Sequence, residues 1–236
     1  MGTAATKGPG ADPERSLSSL IYAGVRERII NGDLPLGSRL RERELAETLG
    51  VSRVPLREAL PQLETDGFIT TGLRRGASVT QLTLRDVEEL FEVRLGVEVY
   101  ATRLAAQRIA AGADPAPLWK ALRRATDATD VSAPDVTDFN AELHEAIVTL
   151  ADNSLLTSMM RPVSGRDRWI FKMTADRDLG VACREHQALC EAIFAGNAEH
   201  AAALAFNHIE GGRRSTLDTL SGVLPDGGSR TAARLM

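Results

Sequence analysis

The chain has 236 residues, 43% of them hydrophobic, and a formal net charge of −4 from 28 basic and 32 acidic side chains. That length holds one large domain or two smaller ones with ample core, and the acidic balance excludes a protein that grips polyanions over its whole surface, so any nucleic-acid contact must be local. No apolar run approaches the ~18 residues of a membrane span, and the N-terminal MGTAATKGPGADPER lacks the apolar core of a secretory signal, so residues 1–15 read as a flexible tail of a cytoplasmic protein with no membrane partner.

In chain order, Leu17, Leu20, Ile21, Val25 and Ile29 recur with helical period and predict a first helix that ends at the GDLPLG turn of residues 32–37. A second helix carries Leu45, Ala46 and Leu49 on one stripe, and Gly50 stands where a helix commonly stops in the left-handed conformation. Ser52 suits the N-cap of a third helix, Pro55 is tolerated in its first turn, and Leu56, Leu60 and Leu63 form its buried face. Arg53 and Arg57 then share the opposite face. Two guanidiniums one turn apart near a helix N-terminus suit phosphates or the O6 and N7 acceptors of guanine in a major groove, and Arg43 on the preceding helix could reach the same backbone. After Gly67, FITTGLRRGASVT reads as a two-stranded wing with Arg74 and Arg75 at its tip, where long cations could enter a minor groove.

From Thr83 onward strand-forming runs vanish. Thr83 caps a helix with Asp86 in its first turn, and further helices are expected near 117–129, 137–151, 155–172, 178–195 and 198–220, with Pro162 kinking or dividing its helix. The fold class is therefore mainly α: three helices and a hairpin wing over residues 16–80, an all-helical bundle over 81–220, and a second flexible tail over 221–236.

The chain has four histidines. Asn140 and His144 are one turn apart on one helix, while His186 and His208 fall on two later helices amid apolar or small residues. Three imidazoles from three helices could converge on zinc, nickel, manganese or iron, leaving positions open for water or an anion. The alternative is three separate core histidines, each hydrogen-bonded on its own. Cys183 and Cys190 share the face of His186, but ligands strung along one helix rarely reach one ion, and both read as core packing. Arg94, Arg161 and Arg166 are weaker candidates for clamping a carboxylate. Glu145 and Glu185, each next to a histidine in sequence, point off the histidine faces, Asp138 is turned away from His144, and His200 reads as exposed.

ERELAETLGVSRVPLREALPQLETDGFI, with the preceding INGDLPLGSRL, resembles the winged helix of GntR-type bacterial transcription regulators. The resemblance places Arg43, Ser52, Arg53 and Arg57 at DNA-contacting helix positions and Arg75 and Gly76 in the wing, and departs from the family at Arg41, where Pro or Ser is usual. HEAIVTLADNSLL and EHQALCEAIFAGNAEHAAALAFNHI look like the FCD effector-binding domain of the FadR-like branch. That resemblance implies a divalent metal, zinc first, held by His144, His186 and His208, with Asn140 at the position of the family's acidic ligand. It also implies a homodimer on palindromic operator DNA, acting as a repressor released by a small carboxylate. An activator, a metal-dependent enzyme using the histidines, and a protein interaction module are the alternatives. The asparagine brings no charge, so an ion there would keep its full +2, bind more weakly to the protein alone and attract an anion more strongly; the alternative is that the metal has been lost and the histidines hydrogen-bond a ligand directly.

Overall fold

The computed structural model describes residues 16–72, 76–126, 133–174 and 179–227. The chain divides into two compact units, residues 1–80 and 81–236. The expected tail over 1–15, residues 228–236 of the tail expected over 221–236, and Arg74 and Arg75 of the wing tip lie outside the described residues.

In the first unit, helix α1 (Leu17–Ile30) begins at Ser16, whose hydroxyl accepts from the Ser19 amide, and buries Ile21, Tyr22, Val25, Ile29 and Ile30. The expected stripe is thus shifted, because Leu17 and Leu20 stay 54% and 52% exposed while Tyr22 turns inward. Helix α2 (Glu42–Leu49) stops at Gly50, which has φ +65°, the left-handed conformation the sequence anticipated. Helix α3 (Arg53–Thr65) buries Leu56, Ala59, Leu60 and Leu63 and carries Pro61 without breaking. Tyr22 reaches from α1 to the end of α3, donating its hydroxyl to Asp66 Oδ2 at 2.5 Å. Burial, and then Asp66, push that phenol above its ordinary range.

Strands β1 (Ile69–Gly72) and β2 (Gly76–Val79) pair antiparallel, Ile69 opposite Val79 and Gly72 opposite Gly76. A third edge joins them: Arg39 bridges Ser78, and the Leu40 amide donates to the Ala77 carbonyl. The hairpin is therefore anchored by the segment before α2, a contact that local pattern does not reveal.

In the second unit, α4 (Leu84–Ala110) is the axis. Thr83 and Asp86 form a complete capping box at its start. Helices α5 (Ala116–Thr126), α6 (Ala133–Leu150), α7 (Ser154–Lys172), α8 (Leu179–Phe194) and α9 (Ala198–Leu220) follow. The core joins Ala105, Leu118, Leu143, Ile147, Leu189, Ile193, Ala201 and Ala205, and its alanines let helices approach closely. Gly196, at φ +68° in the turn between α8 and α9, passes over Ala110 so closely that a Cβ would lie 2.9 Å from the alanine methyl.

Of the two outcomes expected at Pro162, a kink or a division, division does not occur, since α7 continues through it to Lys172. One expectation is corrected. The stretch from 221, expected as tail, turns back: the Pro225 carbonyl accepts from the Leu84 amide at 2.9 Å and Leu224 is buried. The first amides of α4 lack intrahelical partners, and this return satisfies two of them, the Arg85 amide donating to the Asp226 carbonyl at 3.3 Å. Among the described residues, no helix is long and apolar enough to cross a membrane.

Leu143 is fully buried at the centre of the bundle, so Leu143→Ala is expected to cost ~2 to 5 kcal/mol, measured as a shifted denaturation midpoint. Val54→Ala on the exposed side of α3 should stay within ~0.5 kcal/mol of wild type.

Candidate functional site

Three elements bring the histidines together. His144 on α6, His186 on α8 and His208 on α9 each offer one ring nitrogen, and these atoms all lie within 4.8 Å of one another. His144 and His186 are buried, and His208 is half-buried. The His186 and His208 Nε2 atoms are 3.2 Å apart. His200, as expected, is exposed and separate from them.

Two carboxylates fix which nitrogen each ring turns inward. His144 Nδ1 donates to Glu98 Oε2 at 2.7 Å, and His208 Nδ1 donates to Glu185 Oε2 at 2.8 Å. An ionised carboxylate only accepts, so both rings carry the proton on Nδ1 and present Nε2 to the cluster. His144 Nε2 is closed off from solvent and meets no hydrogen-bond partner. Burial, then the repulsion a second proton would meet from His208, His144 and Arg94, pushes the His186 imidazolium well below its ordinary pKa. Burial lowers His208 too, against the opposing pull of Glu185. The neutral imidazole favoured in this way is the form that binds metal.

The donor set fits a divalent ion. Two Nε2 atoms 3.2 Å apart match the ~3.3 Å edge of a tetrahedron with metal–nitrogen bonds of about 2.0 to 2.1 Å. An orphaned third Nε2 lies beside them, and both oriented rings are backed by carboxylates, the usual outer shell of a histidine–metal centre. His144, His186 and His208 would hold the ion. The competing thiols do not compete: burial pushes Cys190 up to about 12, and the Cys183 thiol donates to the Ala125 carbonyl at 3.6 Å.

Beneath His144 lies a buried ionic network. Arg94 is 1% exposed, donating Nε to Glu98 Oε1 at 2.6 Å and Nη1 to Asp167 Oδ1 at 2.7 Å. Its plane also lies over Phe91 and near Phe171. Burial alone would raise the Glu98 carboxyl, but Arg94 and then His144 hold it well below the usual carboxylate range. Arg94, which the sequence offered as an effector clamp, is thereby corrected to a structural role: both its carboxylate partners come from the protein. Arg161 is exposed and Arg166 half-buried on α7, and each already has an interaction of its own. Asp138 is held by Arg168 Nη2 at 2.8 Å, in keeping with its expected distance from metal binding. Glu185 is also corrected, because a side chain turned off its own helix's ligand face still reaches the neighbouring helix.

In the first unit Arg43, Ser52, Arg53 and Arg57 are all exposed. Ser52 occupies the N-cap of α3, yet its hydroxyl makes no capping bond. Gly76 opens β2 with φ +72°. Glu42, which sequence reading missed, accepts from Arg57 Nε at 2.6 Å and Arg53 Nη2 at 3.4 Å. The Arg57 hydrogen bond is the main cause of its lowered carboxyl pKa. One acidic side chain thus pins both guanidiniums across the α2–α3 turn.

Residues 17–79 match the bacterial regulatory proteins of the gntR family, and residues 89–211 match the FCD domain. The chain is 31% identical over 192 residues to the uncharacterized HTH-type transcriptional regulator YdhC of Bacillus subtilis, covering 76% of this chain and 82% of that protein. The chain belongs to the GntR family. It is a DNA-binding transcription regulator and not an enzyme. The gluconate operon transcriptional repressor of Bacillus subtilis is 31% identical over 147 residues, 59% of this chain and 58% of that protein. A solved GntR transcriptional regulator from Rhodococcus sp. RHA1 superposes with a TM-score of 0.72 at 27% identity, covering 86% of this chain and 98% of that one.

In this GntR regulator the Arg94–Glu98 pair left a sequence signal. Val87, Phe91, Arg94, Glu98, Ala101 and Ala105 form one buried stripe of α4, and opposite charges four apart within an apolar stripe mark a buried pair. Arg94→Met removes the buried cation that Glu98 and Asp167 both face. The expected stability loss is ~3 to 5 kcal/mol, read by chemical denaturation, and a loss below ~1 kcal/mol, the scale of an exposed pair, would contradict the network.

Proposed function

We propose that this regulator is a homodimeric repressor of a palindromic operator, released when a small carboxylate binds beside a divalent ion held by His144, His186 and His208. The observation that carries the reading is the convergence of three imidazoles from three helices, with the His144 Nε2 shielded and unpartnered. Zinc is the first candidate, and nickel, manganese and iron share its affinity for imidazole. When bound, the ion supplies a fixed positive charge that attracts a carboxylate in a partly desolvated site. Glu98 and Glu185 stand behind two of the ligands and temper that charge, so ion binding suffers less from a neutral ligand set than the side chains in the ligand positions alone imply.

For DNA, Arg53 and Arg57 project from the first turns of α3, with Arg43 and Ser52 beside them and Arg75 and Gly76 assigned to the wing. A single winged helix covers too little duplex to be selective, and a two-fold dimer matches a palindrome. Repression finds support in the name of the gluconate operon relative. Coupling is reciprocal: an effector that weakens operator binding is itself bound more weakly by the DNA complex.

Fluorescence anisotropy with DNA flanking the gene of this protein tests the reading. Arg53→Ala and Arg57→Ala are each expected to lose ~1 to 3 kcal/mol of operator affinity if they read bases. A loss equal on operator and unrelated DNA assigns them to phosphate instead, and unchanged affinity removes them from the interface.

A further inference from the structure

His144 and His208 turn the Nε2 lone pair toward the cluster, which suits a cation and offers nothing to an anion. Asn140 differs. It stands one turn before His144 on α6, so the two side chains share a helix face. The residue is half-buried, yet its Nδ2 is closed off from solvent and meets no acceptor. An amide nitrogen only donates. A shielded donor without a partner is costly and marks an acceptor still to be supplied.

Among the described residues, the two carboxylates that meet the rings of the cluster are already engaged: Glu98 serves Arg94 and His144, and Glu185 serves His208. A ligand oxygen would supply the acceptor that Asn140 lacks. An aspartate here would present only acceptors, which would draw a metal ion closer and repel an anion. The asparagine brings no charge and adds an N–H donor that an anion can accept.

We propose that Asn140 is the anion-recognising donor of this pocket, giving Nδ2–H to an oxygen of a small carboxylate, and is not one of the metal ligands. The inference rests on the metal-and-carboxylate reading above and names the residue that selects an anionic acceptor within it. A ligand presenting an ammonium group in that place would leave the Asn140 donor unpaired and would be rejected.

Calorimetric titration of the full chain with Ni2+, and of the Ni2+-loaded chain with acetate, tests this. Asn140→Ala is expected to weaken acetate about tenfold while leaving Ni2+ affinity within about threefold, since a donor to a charged acceptor is lost and no metal ligand is. Asn140→Asp should bind Ni2+ about tenfold more tightly and acetate more weakly still, through its added negative charge. Retained Ni2+ uptake shows that each variant is folded at the site. Unchanged acetate affinity in Asn140→Ala overturns the inference alone, as does a loss of Ni2+ affinity of about tenfold or more, which would make Asn140 a ligand. A wild-type chain that takes up no Ni2+ overturns the underlying reading as well.

Discussion

The carboxylate of Glu98 is the constraint on which the site depends. It is buried, and burial opposes its charge, so it stays ionised only because Arg94 and then His144 face it. Asp167 on α7 holds Arg94, Arg94 on α4 keeps Glu98 charged, and Glu98 sets the proton of His144 on Nδ1. Nε2 is left to the cluster. Were Glu98 neutral, it could donate as well as accept, and the orientation of the histidine would no longer be determined. A buried ion network of this kind is weak evidence for stability and stronger evidence for one specified arrangement. Three helices are thereby tied to one tautomer, and Glu185 repeats the device for His208 from α8 to α9.

Much of the fold was legible because the signals are local. The stop at Gly50, the capping box of Thr83 and Asp86, and the helical periods of the second unit each lie within a few residues of sequence. The candidate ligands were legible as rare histidines on otherwise apolar faces. Their outer shell was not: Arg94 meets Asp167 across 73 positions and His208 meets Glu185 across 23. Such pairs depend on how helices pack, which spacing does not encode. Pro162 left a kink and a break both open for a related reason, since a proline's local effect says nothing about the packing that keeps the chain helical on both sides.

The first unit shows how an acidic chain still presents cations locally. Arg53 and Arg57 are exposed and share the carboxylate of Glu42, and exposed pairs of this kind contribute little to stability. Glu42 fixes their position near the start of α3, and in the proposed reading phosphates or base edges would replace it there. Glu42 lies eleven and fifteen residues before its partners. Helical spacing within α3 therefore revealed the two arginines and concealed what holds them.

Both halves thus rest on carboxylates that orient other groups: Glu42 for the guanidiniums, and Glu98 with Glu185 for the imidazoles. The central claim is that the oriented imidazoles bind one divalent ion. Visible absorption during Co2+ titration of the full chain tests it most directly, because d–d bands report coordination geometry and their end point reports stoichiometry. The account predicts bands that saturate at one Co2+ per chain in the wild type and are absent in His144→Ala. A spectrum that stays that of aqueous Co2+, or bands that persist unchanged in His144→Ala, would contradict it.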